Sequence, residues 1–366
     1  MPELRSLAAA EFAPRTTYLN TASSGLLPAR SAAALREAIE ESLSYGAMGL
    51  DYFGPAWGAR AAFARLLRVG PERVAIGNSV AVASALIAGT LPAEAEVLVP
   101  EGDFSSLVNP FAVRPGIKLR TAPLAELAEA VRPGTALVAF SAVQALDGRV
   151  ADLEAIRAAA RAHGARTYVD ATQAAGWLPL DAGRFDYLVC AAFKWLLCPR
   201  GTTFLAFGEE VGAGWSDHDE GASAGGPVPL HAGWVAGADP GESNYGPVTT
   251  FAPGARRYDE PHAHYAYIGA ERSLSLVEEV GVAAIHAHDL ALADRYRAGL
   301  AELGHRPVPA PGSAIVSTPG LTDAEERLSR AGVRISIRSG LLRAAFHFHN
   351  SAADVDRLLE LLPAVR

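Results

Sequence analysis

The sequence predicts an α/β protein: a large domain with a mostly parallel sheet covered by helices, followed by a smaller α+β domain. Short strand-like runs at VAI, EVLVP, TALVAF, RTYVD, YLVCAA and TTFLAF alternate with Ala-, Leu- and Arg-rich helical patterns through residue 207, the order that builds a sheet with helices on its faces. The RTYVD run is apolar and β-branched up to its acidic end, as a buried parallel strand requires. At 366 residues, 50% of them hydrophobic, the chain can bury a large core and divides into two domains. These are expected over 18–250 and 251–366, with the N-terminal segment 1–17 joining the smaller domain.

The first strand, ERVAI, runs into Gly77, Asn78 and Ser79 and then into the helical stretch VAVASALIAG. A strand, turn and helix in this order offer free backbone N–H groups, that of Val80 included, and a positive dipole end to a phosphate. RTYVD ends in Asp170, and FDYLVCAA ends just before Lys194. Loops at such strand ends build the sites of α/β sheets. From Gly212 to Gly254 the chain is rich in Gly, Pro, Ser and Asp with little periodicity. Trp215 and Trp234 are unfavourable to leave exposed, so this stretch reads as an irregular active-site or interface segment rather than a free linker. Helical patterns over about 262–280 and 283–303 follow, then a short αβ module to the end, with no internal repeats.

Of the 32 Lys and Arg residues only Lys118 and Lys194 are lysines. A chain that uses Arg almost everywhere as its surface charge has little need of Lys for that purpose, so a lysine between Phe193 and Trp195 invites a chemical role. Lysine condenses with an aldehyde and arginine does not; the amine must be unprotonated, and an apolar setting lowers its pKa toward neutrality. Taken singly, Lys194 reads as a strand-end lysine snorkelling to water and Asp170 as a helix cap. Together they form the pair a pyridoxal phosphate site needs, an amine for the aldehyde and a carboxylate to keep the pyridine nitrogen protonated.

The segments VDATQAAGWLPLD and KWLLCPRGTTFL resemble the aspartate and lysine motifs of the class V aminotransferase family, which includes cysteine desulfurases, isopenicillin N epimerase-like proteins, kynureninases and carbon-sulfur lyases. The likeness runs from YLNTASSGLLP to LLRAAFHFHNSAADVDRLL, almost the whole chain. It implies fold type I of the pyridoxal phosphate enzymes, a site formed at a homodimer interface, and a small amino-acid substrate. It further implies that Lys194 forms the aldimine, that Asp170 pairs with the pyridine nitrogen, and that Gln173 hydrogen-bonds the ring hydroxyl. Phe104, in EGDFSSLVNPF, falls where the family places the ring that stacks on the cofactor; a Phe supplies an apolar face and no proton. Arg343 and Arg338 fall at positions that receive the substrate carboxylate, for which a planar guanidinium is suited by its bidentate fork. Gln144, in SAVQALDG, matches an amide near the ring hydroxyl, and Asn20 lies in an N-terminal segment that closes over the site.

Departures from the pattern bear on the reaction. Cysteine desulfurases carry Ser and His just before the lysine as phosphate ligands, where this chain has Ala191, Ala192 and Phe193. Other groups, an Arg or residues of a second subunit, must then hold the phosphate. The run ISIRSGLLRAAF lacks the mobile loop that carries a nucleophilic Cys in desulfurases, which argues against persulfide formation. Cys190 and Cys198 are assigned to packing. His262, His264, His347 and His349 lack a third ligand at a diagnostic spacing, so no metal is expected.

A net charge of -8 argues against nucleic acid or anionic membrane as partner. No segment approaches a membrane span and no signal peptide is evident; with few cysteines, the chain is expected in the cytoplasm. Transamination and β-elimination of the carbon-sulfur lyase type stand level as the expected reaction. The alternatives are an amino-acid epimerase, which needs a second acid–base group that Phe104 cannot be, and an idle cofactor-binding regulatory protein.

Overall fold

The computed structural model describes residues 2–46, 50–211 and 226–365. The chain opens with helix α1 (Pro2–Glu11), a two-residue strand β1 (Thr17–Tyr18) and helices α2 (Ala29–Tyr45) and α3 (Gly54–Leu66). The main sheet then comprises β2 (Val74–Gly77), β3 (Glu96–Pro100), β4 (Lys118–Ala122), β5 (Thr135–Ser141), β6 (Arg166–Asp170), β7 (Tyr187–Ala191) and β8 (Thr203–Phe207). Their spatial order is β2-β8-β7-β6-β5-β3-β4. Only β8 runs against its neighbours β7 and β2; the other pairs are parallel. All six strand-like runs of the sequence are present. The seventh strand, β4, escaped the apolar signal because its sequence KLRTA lies largely exposed at the sheet edge, where half of each side-chain row faces water.

Successive residues of the central strands point to opposite faces, and both faces are covered. Val138, Phe140, Val169, Leu188 and Phe204 enter one apolar layer with Phe63 of α3 and Leu274 of α7 (His264–Val280). Leu137, Ala139, Tyr168, Val189 and Leu205 enter the other, with Leu86 of α4 (Val80–Thr90) and Leu107 of α5 (Ser105–Val113). Helix α6 (Leu153–His163) is capped by Asp152, whose side chain accepts from the Ala155 N–H, and ended by Gly164 at φ 69°.

Beyond α7 a second core gathers around the antiparallel sheet β11-β12-β9, formed by β9 (Ile315–Pro319), β11 (Ser336–Arg338) and β12 (Leu341–Ala345). Tyr296 of α8 (Val282–Glu302), Phe346, and Val355 of the last helix, α9 (Ala352–Glu360), fill it. Leu19 joins this core from the other end of the chain. The N-terminal segment is tied there because β1 pairs in parallel with β10 (Val333–Arg334), and Asn20 bridges Ala345. Of the irregular 212–254 stretch, residues 212–225, Trp215 among them, lie outside the described residues. Trp234 packs its ring 5.3 Å from that of Tyr52. Among the described residues no helix is long and apolar enough to cross a membrane.

A buried ion pair locks the sheet edge to the helical layer. Arg60 of α3 binds Asp259, whose other oxygen accepts the Ile76 N–H of β2 at 2.9 Å. Removing one member leaves an uncompensated buried charge, so Arg60→Met is expected to lower stability by about 3–5 kcal/mol, measured by urea unfolding; a loss below about 1 kcal/mol would mean the site relaxes to admit water.

Candidate active site

Parallel pairing of β6 and β7, with Asp170 opposite Val189, brings the two chain segments that leave these strands to one end of the sheet. Asp170 is the last residue of β6, and Lys194 follows β7 in a tight turn. The Cys198 N–H donates to Ala192 O at 3.1 Å, the Leu197 N–H donates to Lys194 O at 3.2 Å, and Leu197 adopts φ 59°. Two glycines let other segments pass against this turn. A Cβ on Gly25 would stand 2.2 Å from Lys194 O, and one on Gly176, at φ 104°, would stand 2.7 Å from Trp195 O. The Gly25 N–H also donates to Phe193 O at 2.9 Å.

Lys194 and Asp170 both line a cavity of about 660 Å³. Lys194 is 6% exposed and, among the described residues, its ammonium nitrogen makes no hydrogen bond. The nitrogen stands 5.2 Å from the ring centre of Phe104 and 5.7 Å from that of Phe193. Burial pushes the amine down to about 8 against the opposing pull of Asp170, with Arg343 and Arg200 adding repulsion. Asp170 is buried and accepts the Thr172 N–H at 2.8 Å. Burial pushes its carboxyl up to about 6, opposed by Thr172 and Lys194 and aided by the charge of Asp103. An amine that sheds its proton near neutrality is a nucleophile and a base; a buried carboxylate without a bonded cation is a receptor for a protonated ring nitrogen.

Asn78, Ser79, Val80, Phe104, Gln173, Arg338 and Arg343 line the same cavity. Ser79 caps α4, its hydroxyl accepting the Val82 N–H at 3.3 Å, and the first helical amides behind it have no acceptor in their own helix. Gln173 is held by both ends: its amide NH2 donates to Ala22 O at 2.9 Å and its oxygen accepts the Trp195 indole N–H at 2.9 Å. One amide hydrogen therefore stays free for a ligand oxygen. Arg343 is 4% exposed. It donates to Ser336 Oγ at 3.2 Å, to Ser23 Oγ at 2.8 Å and to Ala145 O, and it has no carboxylate partner among the described residues. Burial and the neighbouring Arg338 push its guanidinium down to about 10, so it stays charged near neutrality and lacks an anion. Arg338 reaches Ser23 Oγ at 3.4 Å.

Three of the residues singled out in the sequence stand back from the cavity wall. The Gly77 N–H donates to Tyr267 Oη at 3.1 Å and so is not free. The Gln144 amide donates to Glu101 O at 3.3 Å, and Asn20 sits in the bridge to Ala345. Conversely, Ser23, Asp103, Ser141, Thr172 and Arg200 line the cavity without having been singled out. Asp103 is legible only with the sheet assembled: it accepts from the Ser141 N–H at 2.8 Å and from Ser141 Oγ at 2.5 Å. Cys190 and Cys198 are buried, and burial pushes both thiols up, away from reactivity. His347 is wholly enclosed between Asp289, at 2.9 Å, and Trp195 O, at 3.0 Å.

This combination defines a class of enzyme. The model of the aminotransferase class-V family matches residues 81–319, more than half of the chain, and the chain belongs to that family. It is a pyridoxal phosphate-dependent enzyme. An isopenicillin N epimerase of Streptomyces clavuligerus is 29% identical across 96% of this chain and 95% of its own length. An uncharacterized aminotransferase of Bacillus subtilis is 25% identical across 93% and 94%. Among solved structures, a cystine C-S lyase complex matches with a TM-score of 0.81 at 22% identity, over 94% of this chain and 97% of its own; that likeness concerns the fold. The donor set fits the cofactor: a depressed amine for its aldehyde, a buried carboxylate for its ring nitrogen, free amides for its phosphate.

Because the amine reacts only when neutral, covalent uptake of pyridoxal phosphate by the unloaded protein is expected to accelerate as pH rises through about 8. Stopped-flow absorbance across a pH series checks this; a rate that keeps climbing to the range of a free lysine, with no levelling above that point, would contradict the depressed amine.

Proposed function

We propose that this enzyme acts on a small α-amino acid by removing its α-proton from one face, the outcome being transamination or β-elimination. The observation that carries the reading is the juxtaposition, in one cavity, of the unpaired amine of Lys194, the buried carboxylate of Asp170 and the buried, anion-free guanidinium of Arg343. In this reading Lys194 holds the cofactor and then serves as the base. Asp170 keeps the ring nitrogen protonated, and Gln173 donates its spare amide hydrogen to the ring oxygen. The amides of Ser79 and Val80 would face the phosphate; Asn78, whose backbone and side-chain N–H groups already donate to Glu260, shapes the turn that presents them. Phe104 supplies the ring's apolar neighbour, and Arg343, assisted by Arg338, forks onto the substrate carboxylate and so fixes the α-carbon beside the amine. Gly77, Gln144 and Asn20 act through backbone support of these groups. When bound, the cofactor supplies an electron sink for the charge left on the α-carbon.

Persulfide formation on the enzyme is opposed by its cysteines, both buried and held protonated. Epimerisation is a second reading, favoured by the likeness to the Streptomyces epimerase. It needs a proton donor on the face opposite Lys194, and Phe104, the aromatic group nearest the amine, has none. The family resemblance supports a homodimer, for which light scattering of the loaded protein should return twice the mass of the 366-residue chain; a fully loaded monomer would refute it.

The deciding experiment is the visible spectrum of the loaded protein against a panel of amino acids, cysteine conjugates and sulfoxides, with keto acid, ammonia and chirality assayed together. Keto acid without ammonia marks transamination and keto acid with ammonia marks elimination; inverted amino acid without either would overturn the one-face reading. Lys194→Ala is expected to abolish the covalent link and Lys118→Arg to leave it intact. Arg343→Ala should keep the cofactor band while lowering kcat/KM by on the order of 100-fold; unchanged kcat/KM would remove Arg343 from substrate binding.

A further inference from the structure

We infer that Arg200 holds the cofactor's phosphate, taking the place of the polar side chains absent at Ala191 and Phe193. This rests on the cofactor reading above. Three features of this chain lead to it. First, Gly77 pairs with Thr203 at the point where β2 ends and β8 begins, and Tyr267 Oη clamps the two, accepting from the Gly77 N–H and the Thr203 N–H and lying within 2.7 Å and 2.9 Å of their carbonyl oxygens. The segment that follows Gly77, carrying Asn78 and Ser79, and the segment that precedes Thr203, carrying Arg200 and Gly201, therefore leave the same edge of the sheet side by side. All four residues line the cavity.

Second, the guanidinium of Arg200 has no hydrogen bond or ion pair among the described residues. Its central carbon lies 4.0 Å over the ring of Phe193. Stacking of this kind fixes the plane of the group and leaves its N–H edges free to fork onto an oxyanion. The side chain at 193 thus acts as a shelf for a cation rather than as a ligand itself.

Third, the charge around the turn calls for a cation. The Glu260 carboxylate accepts from the backbone N–H of Asn78, at 3.4 Å, and from the side-chain amide of Asn78, at 3.0 Å, so a carboxylate stands directly behind the amide-bearing turn. A phosphate monoester brings close to two further negative charges, more than the partial positive charge of one helix end offsets. Arg343 and Arg338 are engaged with Ser23, on the chain segment that ends at the Gly25–Phe193 contact, so each guanidinium cluster has its own anion: the substrate carboxylate for that pair, the phosphate for Arg200.

Equilibrium binding of pyridoxal phosphate and of pyridoxal, which has the aldehyde and ring but no phosphate, separates this role from any other. Binding is read from the visible band of the purified full chain. For Arg200→Ala the affinity for pyridoxal phosphate should fall by about 30- to 100-fold, the scale of one charge-assisted bidentate pair. The affinity for pyridoxal should stay within about 3-fold of wild type, and the thermal midpoint of the unloaded protein should move little, because Arg200 makes no hydrogen bond or ion pair there and loses only its stacking on Phe193. Arg200→Lys, which keeps the charge and loses the fork, should fall between. An unchanged affinity for pyridoxal phosphate, or equal losses for both ligands, would overturn the assignment. A wild-type protein that forms no band with either ligand would instead remove the cofactor reading, and Arg200 with it.

Discussion

Parallel pairing of β6 with β7 is the constraint on which the rest of the site depends. Strands that run side by side in one direction release their following loops at one end of the sheet, so a carboxylate at the end of β6 and an amine in the turn after β7 meet without either loop having to reach. The pairing itself is secured by burial on both faces: Tyr168 and Val169 enter opposite apolar layers, as do Leu188 and Val189. The tight turn that follows is held by a left-handed Leu197 and by the close passage of Gly25 and Gly176. Backbone rigidity around Lys194 is what allows its side chain to sit buried with no hydrogen bond of its own.

Burial then does the chemical tuning. In water an ammonium and a carboxylate would both be charged near neutrality and would pair. Here the low-dielectric setting moves the Lys194 amine down and the Asp170 carboxyl up, so the two groups are drawn toward neutrality and toward a ligand that satisfies both. The cations that reinforce the shift of Lys194 come from opposite parts of the chain, Arg343 on β12 and Arg200 beside β8. A cavity lined by guanidinium groups from two elements that have no carboxylate partner among the described residues suits a ligand set with two anions.

Much of this was legible in the sequence, for reasons that are local. The apolar runs of the inner strands are visible because full burial demands continuous hydrophobicity; the edge strand β4 is not, because half of it faces water. Lys194 stands out because almost every other basic residue is Arg, and Asp170 because it closes a strand. Gln173 follows from its spacing in the family motif. The Ser79–Val80 turn is read correctly as a strand-to-helix joint, yet the sequence does not show that Gly77 has already given its N–H to Tyr267, a residue of α7 nearly two hundred positions away.

The sequence by itself determined the class of fold, the amine and carboxylate at neighbouring strand ends and the family, because these rest on runs of adjacent residues whose pattern is dictated by secondary structure. Only the tertiary structure decided which polar groups face the cavity. Ser23 and Arg338 come together through the return of the N-terminal segment onto β10 and β12. Arg200 joins the Ser79 turn through the antiparallel register of β2 with β8. Gln144 stands back because its amide donates to the Glu101 carbonyl, and Asn20 because its backbone is held in the bridge to Ala345. Contacts between residues far apart in the chain are set by packing and register, and no local pattern of side chains encodes them.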